Sequence, residues 1–314
     1  MAIFLTEAEV SQLMTMKDAL EVVEEGFREQ GLGIALNKSR ARLRVPKGSM
    51  NIMAATVPGL NASGFKAYGG GGRMMVYLYS TWSGQLEAVI EAGRLGQLRT
   101  GAASGVATKY MAPSHASVVG IHGTGNQAIT QIEAVCAVAP VKKVLAYSRD
   151  PERRAEFCRR MSEHLKVDFV PAASPEDAAK DADIIITITN TREPVLSGAW
   201  IKQGTHINAA GGNALIRREL DEDAVGKADV IVADSIDQAK IESADLFMAV
   251  ERGVINWEQV GELGQVVAGR HPGRENDQQI TLFESHGIAI WDVAAGAKVV
   301  ELAKAKGVGT PLPF

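Results

Sequence analysis

Cysteine is scarce in this sequence of 314 residues. Cys136 and Cys158 are the only two, and they form no CxxC or other metal-type spacing. No metal site is expected, and both thiols read as inert residues on or near helices. An excess of one charge sign is lacking too: 33 basic and 37 acidic side chains leave a formal net charge of −4, well mixed along the chain. That balance leaves no electrostatic footprint for nucleic acid or an anionic membrane. No apolar run approaches the roughly 20 residues a membrane helix needs. The opening Met1-Ala2-Ile3-Phe4-Leu5-Thr6-Glu7 lacks the basic start and long apolar stretch of a signal peptide. These absences point to a cytoplasmic protein. Internal repeats and low-complexity tracts are absent as well.

What remains is ordinary globular material, with 46% hydrophobic and 22% charged residues, long enough for about two domains. Residues 1–35 read as helices. Thr6 with Glu9 and Thr15 with Asp18 make capping-box-like starts, and Leu20, Val23 and Phe27 then recur at helical spacing. From Ser39 the period becomes two: Arg40, Arg42 and Arg44 alternate with Ala41, Leu43 and Val45, which predicts a strand with three arginines on one face. Pro46-Lys47-Gly48 turns the chain into a returning strand at Met50–Met53. Further strands are expected at Gly64–Tyr68 and Met74–Ser80. Between these lies the run Gly69 to Gly72, either a flexible loop or a place where backbone approaches a ligand. A helix over about Leu95–Tyr110 carries Arg99 and Thr100, followed by small residues suited to close packing.

From Ala116 strands and helices alternate, the pattern of a parallel sheet covered on both faces. Strands are expected at Ser117–Ile121, Val141–Tyr147, Asp183–Thr189, Thr205–Ala210 and Val230–Asp234, and a last helix at about Val293–Lys306. The fold class is therefore α/β. A Rossmann doubly wound sheet over 116–285 is joined to a second α+β domain built from 1–115 with 286–314. The sharpest local signal is Gly123-Thr124-Gly125-Asn126-Gln127-Ala128, a G-x-G-x-x-A turn between a strand and a helix. Gly123 permits a sharp turn and Gly125 lets backbone approach a pyrophosphate. Ala128 lets helix and strand pack closely, and the helix N-terminus favours negative charge. Gly123, Thr124, Gly125, Asn126 and Gln127 are the expected nucleotide-binding residues. At the end of the next strand an acidic residue would select NADH, whereas this chain has Ser148 followed by Arg149. That pair suits a 2′-phosphate, so NADPH is expected ahead of NADH. The other reading has Asp150 reach the ribose while Arg149 points into solvent.

Several blocks together resemble the ornithine cyclodeaminase/mu-crystallin family. They are Gly64-Phe65-Lys66, Leu98-Arg99-Thr100-Gly101-Ala102-Ala103-Ser104, the glycine turn, Arg192-Glu193-Pro194-Val195, Ile207-Asn208-Ala209, and Ile280–Ser285 with Gly287 and Asp292. The resemblance runs in order across nearly the whole chain. It implies a homodimer formed through the non-Rossmann domain, a substrate pocket between the domains, and hydride transfer between nicotinamide and the α-carbon of an amino or imino acid. Arg40, Lys66 and Arg99 would hold the substrate carboxylate, with Thr100 beside them, and Lys66 would also move a proton. Taken alone, each of these cations reads as a solvated surface charge. Grouped, they suit a carboxylate, and a lysine among arginines has a lowered pKa. Arg40 and Arg42 both qualify from the strand pattern, and Arg40 is preferred.

In the family's cyclodeaminases and alanine dehydrogenases an acid-base aspartate follows the Ile-Asn-Ala strand. Here the sequence is Gly211-Gly212-Asn213. An amide can orient an imine or a water but cannot take up a proton as a carboxylate does. An NAD(P)H-dependent reductase of cyclic or linear imino acids is therefore expected ahead of an ornithine cyclodeaminase or alanine dehydrogenase-like deaminase. A non-enzymatic ligand-binding protein, the mu-crystallin case, is disfavoured by the three cations. Thr187, Thr189 and Gly211 are further expected cofactor contacts, and His286 is an expected substrate contact. His122 is a weaker pocket candidate, and His164 and His206 are given no role.

Overall fold

Both capping boxes form in the computed structural model, which describes residues 1–69 and 71–313. Gly70, part of the glycine run, lies outside the described residues. The Thr6 hydroxyl accepts the Glu9 N–H and the Glu9 carboxylate accepts the Thr6 N–H, starting the helix Glu7–Leu13. Thr15 and Asp18 repeat this at the head of Met16–Leu32, which Gly33 ends in the left-handed region at φ 76°. Ahead of them residues 3–5 form a strand, where the sequence predicts helix. Its partners lie near residues 88 and 310, so no local pattern marks it.

The strands in chain order are β1 (Ile3–Leu5), β2 (Leu36–Val45), β3 (Gly48–Val57), β4 (Ala62–Gly69), β5 (Met75–Ser80) and β6 (Leu86–Glu91). Then come β7 (Val118–His122), β8 (Lys143–Tyr147), β9 (Asp168–Pro171), β10 (Ile184–Thr187) and β11 (His206–Ala209). The series closes with β12 (Val230–Ala233), β13 (Val260–Glu262), β14 (Thr281–Glu284) and β15 (Thr310–Pro311). The chain divides into two compact units, Met1–Ala103 with Gly287–Phe314, and Ser104–His286.

In the first unit the described strands form one sheet in the order β15-β1-β6-β5-β4-β3-β2. From β2 to β6 neighbours are antiparallel, so side chains alternate between faces. One face buries Met53, Val57, Val76, Leu78, Ala88 and Ile90. The helix Ala289–Lys306 lies against it: a Cβ at Gly296 would touch Ile90, Val76 and Leu78 at 3.5–3.6 Å. Phe27 meets Trp291 edge-on at 5.3 Å, tying in the helix Met16–Leu32. The C-terminal helix starts at Ala289, ahead of the expected Val293, because its cap is tertiary. The Ala289 N–H donates to Asn37 Oδ1 at 2.9 Å, and Ile288 itself supplies no side-chain cap.

In the second unit the described strands form a parallel sheet in the order β13-β12-β14-β11-β10-β7-β8-β9. Strand order reverses between β7 and β10, which places a crevice at the carboxyl ends of those two strands. The helices Asn126–Val138 and Pro151–Leu165 follow β7 and β8. Sequence places the unit boundary at 115/116, whereas the division falls at 103/104, inside the helix Gly93–Met111. The second half of that helix is bound into the parallel-sheet unit. Asn208 donates to Thr108 Oγ1 at 3.0 Å, and the Met111 carbonyl accepts from Thr281 and Arg274. Both cysteines are free, and burial pushes the thiols up, Cys136 to about 12 and Cys158 to about 11. Among the described residues no helix is long and apolar enough to cross a membrane. No group of three or more His, Cys, Asp or Glu among them could hold a metal ion.

Candidate active site

The first unit buries three cations around one carboxylate. In β4, Lys66 sits in register between Met53 of β3 and Val76 of β5, which points it to the buried face. Its Nζ donates to Asp292 Oδ1 at 3.1 Å, and Arg99 Nε donates to the same oxygen at 3.0 Å. Arg40 Nη2 donates to the Gly287 carbonyl at 3.1 Å. Lys66, Arg99 and Arg40 are 4%, 6% and 6% exposed, and Asp292 is fully buried. Gly287 holds φ +85°, and a Cβ there would come within 3.0 Å of Arg99 Nη1. Arg99 also lies over the Trp291 ring at 5.4 Å. Asp292 Oδ2 has no hydrogen-bond partner among the described residues.

Three buried cations gathered in one place, two of them on a single carboxylate oxygen, make a setting that suits an anionic group. Burial is the main force lowering the Lys66 pKa, with the Arg99 charge second; Asp292 opposes both, and Lys66 comes to about 8. A lysine poised there can give up a proton near neutrality. Arg40 lies in the irregularity of β2 between Lys38 and Ala41 and is buried, while Arg42 and Arg44 are exposed, so the three arginines do not share one environment. The Thr100 hydroxyl donates to the Gly96 carbonyl of its own helix at 2.7 Å. Sequence reasoning missed Asn51, which is buried in β3 opposite Tyr68 with Oδ1 unpartnered among the described residues. It missed the role of Asp292 as well, because 226 residues separate it from Lys66.

The second unit builds the nucleotide turn. Gly123 has φ +112°, and a Cβ on it would lie 2.3 Å from the Ile188 carbonyl oxygen, so only glycine fits. A Cβ on Gly125 would meet nothing within 4 Å, so the surface there is open for a ligand to approach backbone. Gly125 provides no side-chain cap to the helix Asn126–Val138, Asn126 and Gln127 are exposed at its head, and Ala128 is buried below. This cradle fits the pyrophosphate of a dinucleotide, held by backbone N–H groups and the helix dipole. Thr124 Oγ1 donates to Ser148 Oγ at 3.0 Å, which joins the turn to the end of β8. Arg149 is exposed there. Asp150 caps the helix Pro151–Leu165, accepting the N–H groups of Glu152 and Arg153 at 3.1 Å each.

Thr187, Thr189 and Gly211, expected at the cofactor, meet on one carboxylate. Thr187 is fully buried and its hydroxyl donates to Glu219 at 2.9 Å. The Thr189 hydroxyl and the Gly211 N–H donate to the same carboxylate at 2.7 Å each. No motif pointed to Glu219. His286 is buried; its N–H donates to Asp234 Oδ2 at 2.7 Å, and its Nδ1 lies 3.0 Å from the Gly212 carbonyl oxygen. Asn213 Oδ1 accepts from Arg217 at 3.4 Å. Burial lowers His122 to about 4 and His206 to about 3, so both are neutral packing residues.

The model of the ornithine cyclodeaminase/mu-crystallin family matches residues 1–307. An alanine dehydrogenase of Archaeoglobus fulgidus is 36% identical over 99% of this chain and 98% of its own. A Δ1-pyrroline-2-carboxylate reductase of Bacillus cereus is 36% identical over 76% of this chain and 74% of its own. Among solved structures, Δ1-pyrroline-2-carboxylate reductase of Thermococcus litoralis, in complex with NADH and L-proline, superposes with a TM-score of 0.92 at 35% identity. It covers 99% of this chain and 100% of its own. The iminosuccinate reductase of Paracoccus denitrificans, in complex with NAD+, gives 0.94 at 30% identity, covering 100% and 99%. An archaeal alanine dehydrogenase dimer with bound NAD gives 0.93 at 36% identity, covering 100% and 99%.

Proposed function

The chain belongs to the ornithine cyclodeaminase/mu-crystallin family, and from that premise we propose that it is an NAD(P)H-dependent reductase of cyclic or linear imino acids. The observation that carries this reading is the buried cluster of Arg40, Lys66 and Arg99 with Gly287 and Asp292, in a chain that also carries a dinucleotide turn. A carboxylate on the substrate suits a site lined by these cations, and the arginine forks fix its plane. The nicotinamide, when bound, supplies hydride. Lys66, at a pKa of about 8, supplies the proton that the reduced imine nitrogen takes up. Asp292 holds Lys66 and Arg99 in place through a single oxygen. The Asn213 amide orients but does not ionise, which favours reduction of a ready-made imine over a cycle that must add and expel ammonia. A carrier protein has no use for so costly a group of buried cations.

The cofactor preference follows from the end of β8. Asp150 spends its carboxylate on the helix it caps, while Arg149 stands exposed after Ser148. That arrangement favours a 2′-phosphate and hence NADPH.

A homodimer forms through the outer face of the antiparallel sheet. Leu36, Leu43 and Met50 are exposed there, beside half-buried Ile52 and a stacked Phe65–Tyr77 pair with centroids 4.7 Å apart. An apolar face of this kind marks an association surface, and Leu43→Asp with Met50→Asp is expected to halve the sedimenting mass.

The activity test is oxidation of NADPH and NADH, followed by absorbance, across a panel of cyclic and linear imino acids, with ammonia release from ornithine measured in parallel. Rapid oxidation with an imine and no ammonia is the expected result. Ammonia and proline formed from ornithine without net cofactor change would replace this reading with a cyclodeaminase.

A further inference from the structure

Glu219 is 1% exposed, and its carboxylate collects four donors. They are Thr187 Oγ1 at 2.9 Å, the Thr189 N–H at 2.6 Å, Thr189 Oγ1 at 2.7 Å and the Gly211 N–H at 2.7 Å. These donors stand at the carboxyl ends of β10 and β11, which are paired through Thr187 and Ala209. The residue carrying the carboxylate is itself anchored. The N–H groups of Glu219 and Leu220 donate to Asp245 Oδ1 at 2.9 and 3.0 Å. The Glu219 carbonyl accepts from Val195 and Leu196 at 2.7 and 3.0 Å.

What Glu219 holds is a wall of the nucleotide turn. Ile188, between the two threonines, donates its N–H to the His122 carbonyl at 2.9 Å. Its own carbonyl lies so close to Gly123 that a Cβ there would stand 2.3 Å away. On the other side, a Cβ at Gly211 would meet Glu219 Oε1 and the Thr189 backbone at 2.5 Å, so the carboxylate packs against bare backbone leading to Gly212 and Asn213. Binding in an open parallel sheet takes place at these strand ends, next to the reversal of strand order. A carboxylate has about four lone-pair sites, enough for all four donors, whereas an amide has an oxygen with two and a nitrogen that donates. Burial raises the Glu219 pKa above the usual carboxylate value, and the hydrogen bonds from Thr189, Thr187 and Gly211 oppose that rise.

We propose that Glu219 is a positioning residue for the nicotinamide site, fixing residues 187–189 against the Gly123 turn and the Gly211–Asn213 segment beside it. The proposal rests on the oxidoreductase reading above. It is a role exerted through other groups, with no contact to substrate required.

The experiment compares wild type, Glu219→Gln and Thr187→Val. Dissociation constants for NADH and NADPH are read from the fluorescence of the bound reduced nucleotide, single-turnover hydride transfer is followed at saturating cofactor, and melting is followed by circular dichroism. Glu219→Gln is expected to weaken nucleotide binding about tenfold or more and to slow hydride transfer, with the KM for the imino acid within about twofold of wild type. Thr187→Val, which removes one donor of four and folds more surely, is expected to fall between them. Lowered melting temperature with unchanged nucleotide affinity and hydride rate in both variants would overturn the proposal and leave Glu219 a stability residue. If wild type binds neither nucleotide, the oxidoreductase reading falls, and this proposal with it.

Discussion

Lys66 and Arg99, from a strand and a helix, share a single oxygen of Asp292: Nζ lies 3.1 Å and Nε 3.0 Å from Oδ1. The other carboxylate oxygen has no partner among the described residues. One anion therefore orients two cations and opposes the lowering of the Lys66 pKa that burial and Arg99 cause.

Lys66 is lowered from 10.5 to about 8 in the folded chain. If its protonated form is the acid, kcat/KM for imine reduction falls as pH rises through about 8, and Lys66→Met removes both that limb and about 100-fold or more of the rate. The sign for stability is opposite. Because the folded pKa lies below the unfolded one, the fold disfavours the charged form. That cost is fully present below pH 8 and is relieved as pH rises toward 10.5, so this group alone stabilises the fold on the alkaline side. A pH–rate profile with urea melts at pH 7 and 9 on both proteins checks each sign.

Asp292→Asn keeps the side-chain volume and deletes the charge. Breaking a buried ion pair on one side costs about 3–5 kcal/mol. Asp292 is also what holds the Lys66 pKa up, so the alkaline limb of kcat/KM shifts to lower pH in the variant. Denaturant titration together with the pH profile measures both. An unshifted limb would detach Asp292 from the proton transfer.

Arg40 and Arg42 of β2 separate cleanly. Arg40 is buried against Gly287, whereas Arg42 is exposed. Removing a buried, hydrogen-bonded charge from a recognition site costs about 2–5 kcal/mol, so Arg40→Gln is expected to lose about 30-fold or more in kcat/KM. Arg42→Gln is expected to stay within about twofold. Steady-state kinetics of the pair, with matched melting curves, decides between them.

Ser148→Asp places a carboxylate at the end of β8 beside Thr124. It would repel a 2′-phosphate and pair with ribose hydroxyls, moving the NADPH-to-NADH ratio of kcat/KM toward NADH by about tenfold or more. Arg149→Ala is expected to move it the same way by weakening NADPH alone. Cofactor titrations at fixed imine concentration give both ratios.

Much of this molecule was legible before any coordinates, and the reasons are local. Thr6 with Glu9 and Thr15 with Asp18 announced two helices because a capping box is complete within four residues. The Gly123 turn declared itself because strand, glycine spacing and helix are contiguous. The strand Ile3–Leu5 did not, since its two partners lie more than 80 residues away. The early start of the last helix did not either, since its cap is Asn37, 252 residues distant.

The same division runs through the site. Sequence by itself determined the α/β class and the nucleotide turn, because each rests on residue types within a short run of chain, whereas Arg40, Lys66 and Arg99 are singled out only by the resemblance to the family. Only the tertiary structure decided that Asp292 joins Lys66 to Arg99. It also decided that Arg40 rather than Arg42 is buried, and that Thr187, Thr189 and Gly211 converge on Glu219. A buried charge is tolerated only where distant segments bring partners to it. Those partners are set by sheet register and helix packing, which no window of sequence contains.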